Sequence, residues 1–515
     1  DAWILPNLNL VLGWGDNGEE LRRFEGSYIR NEDAYFKEAL TWTYMKAGGR
    51  RFGYLHPDSV FGRAGCVFVP DRDVWDILSY ANSSLTTYLM ICQTPDRQWE
   101  VGYVSRLPWR EDIIDQSDLD VQAKEIAGTL LALRGDNITS PHYTGPALLK
   151  QVKSTQPDAL FDHPHRTVLD ELPIPENNQR LSPDSSISEL SAATDERKER
   201  LQKKLQEKAD YIDEYVFDLF DVSDEGREDV YREIALRTNE DPRETDEYNP
   251  DSVTETRENT VKYVKDLLVH LTLEAIQDDP EGIIELPTEI QSSRETLLEA
   301  IVSEFKSIFG NEHKNRLAET DELLGNKDRV EEAYPNLRDW LQQDLFEYLT
   351  QRFENRPVLW KLTTKNLVPD PEGEGFSCLL DYHQFDTGTF DRLESQYIEP
   401  RKAELRERRN SAERRRSDDS LSARERAEAT ETFERCKSGL QQIERFQESV
   451  QNLIKERPRD WGEKDRELAE DLHEDIEQFC AITEEKIQCY EQLLEMKDKD
   501  ELEETFSASF VETLK

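Results

Sequence analysis

The chain has little cysteine, little lysine and no long apolar run, and each shortage excludes something. Six cysteines (Cys66, Cys92, Cys378, Cys436, Cys480 and Cys489) are scattered over 515 residues without a C-x-x-C pair. That spacing argues against a zinc ribbon or a disulfide framework and for reduced, packed thiols. No stretch approaches the roughly 18 to 20 unbroken apolar residues of a membrane-spanning helix, and the N-terminus shows no signal-peptide pattern, so the chain reads as cytoplasmic with no membrane partner. No G-x-x-x-x-G-K-[ST] occurs, which removes the P-loop, and Gly13-Trp-Gly-Asp-Asn-Gly18, which has the G-x-G-x-x-G spacing, reads as a turn. An Asn-Pro-Pro-aromatic tetrad is also missing; Asn249-Pro-Asp-Ser252 and Asp279-Pro-Glu-Gly282 come nearest and neither fits. Asp162-His-Pro-His165 offers two imidazoles and a carboxylate, but without a further His or Cys at ligand spacing it reads as a polar loop. Carboxylates are so dense that their closeness in sequence says nothing about acid/base catalysis. No self-sufficient active site, catalytic residue or metal site is expected.

What the chain has in abundance is acid, 110 Asp and Glu against 65 Lys and Arg, and of those bases 41 are Arg and 24 are Lys. The carboxylates spread over the whole length, the pattern of a halophile's protein kept hydrated in concentrated salt. There the Debye length falls to about 3 Å, so distant carboxylates scarcely oppose a DNA phosphate. One part departs from this: residues 1–110 hold twelve Lys and Arg against fourteen Asp and Glu, and six of the nine tryptophans (Trp3, Trp14, Trp42, Trp75, Trp99 and Trp109). This near-neutral, Trp-rich module is the natural seat of function.

Periodicity gives the organisation. Trp3 to Leu12 alternates and ends in Gly13-Trp-Gly-Asp-Asn-Gly18, a strand and turn; Phe52 to Leu55, Val67 to Val69 and Trp99 to Val104 read as further short strands. Trp75 to Met90 has helical spacing, with Asp73 as N-cap. Beyond Arg110 a helix is expected over 119–134, a linker over 172–191, and helices near 193–221, 225–238, 256–277, 293–309 and 327–354. Two strand-like pieces follow, Val358 to Leu362 and Phe376 to Leu380. From Phe390 onward the pattern is almost continuously helical, two or three long antiparallel helices. The fold class is α+β: an α/β module at 1–110, a loop-rich connector at 111–192, a helical domain at 193–354, and short strands plus a long helical arm at 355–515.

Certain blocks carry a resemblance. Arg30-Asn-Glu-Asp-Ala-Tyr-Phe-Lys-Glu-Ala-Leu-Thr-Trp42, Gly62-Arg-Ala-Gly-Cys-Val-Phe68, Ala81-Asn-Ser-Ser-Leu85 and Val101-Gly-Tyr-Val-Ser-Arg-Leu-Pro108 look like the region after the catalytic domain of the BREX phage-defence adenine-specific DNA methyltransferases, the PglX family. Downstream, Asn355-Arg-Pro-Val-Leu-Trp-Lys361, Phe376-Ser-Cys-Leu-Leu-Asp-Tyr-His383 and Thr389 to Pro400 resemble that family's C-terminal block, in the same order. The resemblance implies a target-recognition role in a site-specific N6-adenine DNA methyltransferase. Double-stranded DNA, a catalytic methyltransferase domain or subunit and other phage-defence components are the implied partners. S-adenosylmethionine and the Asn-Pro-Pro-Tyr-type tetrad belong to the catalytic domain, which this chain does not match, so no cofactor is expected here. The chain begins at Asp1 inside a strand-like run without an initiator Met, as would the C-terminal part of such an enzyme, cut as a fragment or encoded as a split gene.

A guanidinium fork matches both phosphate and the guanine edge, which makes Arg22, Arg23, Arg30, Arg50, Arg51 and Arg63 the candidate DNA contacts of the module. Asn31, Tyr35, Phe36 and Trp42 are expected to hold it together. Arg401 to Arg416 has eight bases and three acids; its Arg401, Arg408, Arg409, Arg414 and Arg415 could track DNA along a helix or face solvent. Two other readings stand beside DNA recognition: a non-enzymatic helical adaptor for protein partners, and the specificity part of a fused restriction-methylation enzyme.

Overall fold

In this computed structural model the described residues run from 3 to 455, leaving out 7–11, 13, 25, 46–48, 63, 95–97, 111–117, 154–171, 178, 240, 244–255, 289, 291, 327–332, 355–357, 369–370, 372, 374, 385 and 387. The fold is α+β, with two small antiparallel sheets and long helices towards the C-terminus. The chain divides into two compact units, Asp1–Tyr263 and Val264–Lys515.

In the first unit a three-stranded sheet has the order β2-β1-β3, with β1 at Ala39–Thr43, β2 at Phe52–Leu55 and β3 at Gly65–Phe68. Both pairings are antiparallel, placing Trp42 opposite Phe52 on one side and Cys66 on the other. Period-two alternation turns Leu40 and Trp42 inward, where Phe52 lies against both Trp42 and Trp99. Trp42 Nε1 donates to the Trp99 carbonyl at 2.8 Å, satisfying its one polar atom inside the core. Helices Val74–Ala81, Ser84–Gln93, Leu119–Arg134 and Ile187–Leu219 supply apolar residues to the same core. Asp73 caps the first of these through the Trp75 N–H, and a Ser186/Glu189 capping box opens the last.

Several expectations are corrected. Trp75 to Met90 is two helices, because the Asn82 amide leaves the helical path to bond both backbone groups of Phe52 and Ser83 then caps a new helix. Trp99 to Val104 is not a strand: Gln98 alone bridges Met45, and Val101–Val104 is a helical turn closed by local N–H bonds to the Glu100 and Val101 carbonyls. At the N-terminus Ile4 makes an isolated bridge to Gly53, and residues 7–11 of the expected strand lie outside the described residues. The stretch expected as a linker already turns helical at Ile187.

The second unit holds a sheet of order β4-β6-β5, with β4 at Ile283–Glu285, β5 at Leu359–Thr363 and β6 at Ser377–Asp381, all antiparallel. β4 and a helix at His313–Leu324 are additions to the expected elements, and the expected helix over 327–354 is a pair, Pro335–Gln343 and Leu345–Arg352, the first opened by its proline. Helices Glu399–Arg416 and Ala423–Lys455 form an antiparallel hairpin: Lys402 meets Gln447, Arg406 meets Glu444 and Arg416 meets Glu434. A Cβ on Gly375 would lie 2.5 Å from the Gly439 carbonyl oxygen, so the chain just before β6 rests backbone to backbone on the hairpin. Among the described residues no helix is long and apolar enough to cross a membrane.

Candidate nucleic-acid interface

In the first unit the segment 14–36 gathers exposed arginines and aromatics. Helix Gly15–Arg23 carries Arg22 and Arg23 in its last turn, where the helix dipole favours cations. Arg22 reaches across to Glu32 with two bonds of 2.7 and 2.6 Å, while Arg23 pairs with Glu19 at 2.9 Å on its own helix. The Glu32 carboxyl is held below its ordinary range, chiefly by the hydrogen bond from Arg22. Asn31 adopts the left-handed conformation (φ 58°), which its short polar side chain tolerates, and reverses the chain into the turn Glu32–Ala34. Behind the turn the Trp14 ring meets Tyr35 and Phe36 edge-on, both at 5.5 Å, and Tyr35 meets Phe61 at 4.9 Å. In front of it Phe24 and Tyr28 stand 68% and 78% exposed. Arg30 lies over the Tyr28 ring, 4.3 Å from its centroid, and its hydrogen bond lowers the Tyr28 hydroxyl pKa.

The structure separates this segment from the other candidate arginines of the module. Arg50 and Arg51 are not on the surface. Arg50 is 4% exposed; its Nε donates to the Asn82 carbonyl at 2.8 Å and its Nη2 to Asp213 at 3.1 Å. Arg51 is buried with its guanidinium 3.7 Å from the Trp99 ring centroid. Their forks are engaged by core oxygens and an indole face, so they join the sheet to the Ile187–Leu219 helix and core. Asp213 also accepts from the Ser84 N–H at 2.7 Å and the Ser84 hydroxyl at 2.6 Å; burial raises its pKa against the pull of Arg50 and Ser84. Arg63 lies outside the described residues, as do His163 and His165 of the polar loop.

In the second unit Arg401 is likewise buried, 3% exposed, donating to the Gly375 carbonyl at 3.1 Å and the Thr288 hydroxyl at 3.0 Å and pairing with Glu404 at 2.9 Å. Arg408 bonds Glu404 at 2.9 Å and Arg409 bonds Asn410 at 3.2 Å, both half-buried. Arg416 lies over Phe433. Arg414 and Arg415 are exposed and form no ion pair among the described residues, next to the exposed Asp418 and Asp419 in the turn of the hairpin.

Asp213 and Asp136 are among the buried carboxylates that sequence reasoning missed. Asp213 sits among Ile212, Val216 and Phe217, and a charged residue on that apolar stripe was the available signal. Asp136 takes Lys150 at 2.7 Å and Arg197 at 3.0 Å, a pairing too distant in sequence to read. Among the described residues no group of His, Cys, Asp and Glu could hold a metal ion. Both sheets are antiparallel, and no chemical step is assigned to S-adenosylmethionine here.

No family model matches the chain. Part of it is similar to a methyltransferase specific for adenine. That relative is BrxX of Escherichia coli, 28% identical over 123 residues that make up 23% of this chain and 10% of the relative. The match thus spans about a tenth of BrxX, and methyl transfer itself is not carried over to this chain.

Proposed function

We propose that this chain is the DNA-recognition portion of a BREX-type, site-specific N6-adenine DNA methyltransferase acting in phage resistance. The observation that carries the reading is the similarity to BrxX; the ordered blocks that resemble the PglX family support it. Double-stranded DNA is its ligand, with Arg22, Arg23 and Arg30 in the first unit and Arg408, Arg409, Arg414 and Arg415 in the second as phosphate or base contacts. S-adenosylmethionine and the chemistry reside in a catalytic methyltransferase domain or subunit that this chain serves in the cytoplasm alongside other defence components.

The experiment is binding of target and scrambled duplexes by the chain joined to its catalytic partner, over a range of salt. Arg414→Ala with Arg415→Ala should weaken both duplexes alike and flatten the salt dependence by about 0.9 in logarithmic slope for each phosphate no longer neutralised. If the parent shows no preference for the target, or the arginine variants bind like the parent at every salt concentration, the reading fails. A helical adaptor would then be the better account, and the long hairpin Glu399–Lys455 is the observation that favours it.

A further inference from the structure

Phe24 and Tyr28 are large apolar rings held in water, and the loop that carries them is not slack. Arg22 and Glu32 tie its two ends together, the Ser27 N–H bonds the Phe24 carbonyl at 2.9 Å, and Arg30 stacks on Tyr28. The Tyr28 ring is therefore presented with part of its conformational entropy already spent, a condition under which a contact adds to affinity, and Phe24 stands exposed beside it. From this geometry we infer that Phe24 and Tyr28 stack on DNA bases while Arg30 contacts the adjoining phosphate. The inference rests on the recognition function proposed above.

Four points favour DNA stacking over a protein partner or a purely ionic contact. The two rings are divided by polar chain and accompanied by a guanidinium, so they do not make the continuous apolar patch that a protein interface centres on. Arg30 forms no ion pair among the described residues, whereas Arg22 and Arg23 are each paired with a glutamate, so Arg30 takes up an anion without a carboxylate to displace. An arginine stacked on an aromatic ring also offers a flat face to a base and donors to a phosphate at once. Finally, a chain of net charge −45 gains little from ionic attraction to DNA, and in concentrated salt the counterion-release part of binding shrinks further. Stacking carries no such penalty.

The test is fluorescence anisotropy of a labelled target duplex with the full chain and its catalytic partner, at about 0.1 M and about 1 M KCl, the range over which ionic contacts fade. A duplex carrying 2-aminopurine in the target reports stacking directly. The Phe24→Ala, Tyr28→Ala double variant should bind about tenfold or more weaker, by the same factor at both salts, with the 2-aminopurine signal altered and the melting temperature unchanged. Tyr28→Phe should bind like the parent. A double variant that matches the parent, or whose deficit vanishes at high salt, overturns the stacking assignment and leaves the recognition reading standing. If it binds DNA normally but no longer co-purifies with the catalytic partner, the loop touches protein instead and the assignment is again overturned. A parent that binds no duplex at either salt overturns both.

Discussion

Asp76 should make the first unit lose stability as pH rises through the weakly acidic range. It lies in the first turn of helix Val74–Ala81, is 7% exposed, and accepts the Asp120 N–H at 3.1 Å. Burial, with smaller contributions from the Asp120 and Asp73 carboxylates, raises its pKa from 3.8 to about 6. A folded pKa above the unfolded one means that the folded protein holds the proton more tightly. Stability from that proton is therefore complete below about pH 4, is lost through about pH 6, and is absent above it. At about 1.4 kcal/mol per pH unit the ceiling is about 3 kcal/mol, and the attraction of a helix N-terminus for a carboxylate together with salt screening brings the expected cost to about 1 to 2 kcal/mol near pH 7.5. Asp76→Asn keeps an acceptor for the Asp120 N–H without the charge. Scanning calorimetry of parent and variant should show the variant melting about 2 to 6 °C higher near pH 7.5, with the gap closing towards pH 4. A gap independent of pH, or a variant that melts lower near pH 7.5, would refute the reasoning.

Removing the buried cation tests the other carboxylate: Arg50→Ala leaves Asp213 uncompensated and should cost the first unit about 3 to 5 kcal/mol, read as a fall in its melting transition; a transition matching the parent would return Arg50 to the surface candidates. Carboxylates at this density repel one another, so the melting temperature of the whole chain should climb steadily from low salt into molar KCl. A flat or falling curve would make the −45 charge a real obstacle to DNA binding.

Elements whose determinants are local were legible. Asp73 announces a helix start through a side chain that bonds its own next turn, and the hairpin Glu399–Lys455 follows from almost continuous helical periodicity, whereas the Ser186 cap lay inside the stretch expected as a linker. β4 was hidden because three residues carry no period, and its pairing with β6 joins Ile283 to Leu380 across a run of helices. The break after Ala81 was hidden for a related reason: Asn82 reads as an ordinary helix residue until its amide is found bonded to the Phe52 backbone of β2. In each case the deciding partner lies tens of residues away, and local propensity is overridden by it.

The arginines show the same division more sharply. Arg22-Arg23 and Arg50-Arg51 are alike as dipeptides, yet one pair is exposed and the other buried. What separates them is Asp213, 163 residues from Arg50, on a helix face that otherwise carries Ile212, Val216 and Phe217. In a chain where carboxylates outnumber bases this heavily, any guanidinium can find an acidic partner at small cost, so most of the arginines that attract notice in the sequence are satisfied within the fold. The informative ones are exposed and form no ion pair among the described residues despite the surplus: Arg30 beside Tyr28, and Arg414 with Arg415 at the end of the hairpin. Exposure without a close ion pair leaves their forks open to an anion, and this, more than the count of bases in a window, is why they carry the DNA-binding proposal.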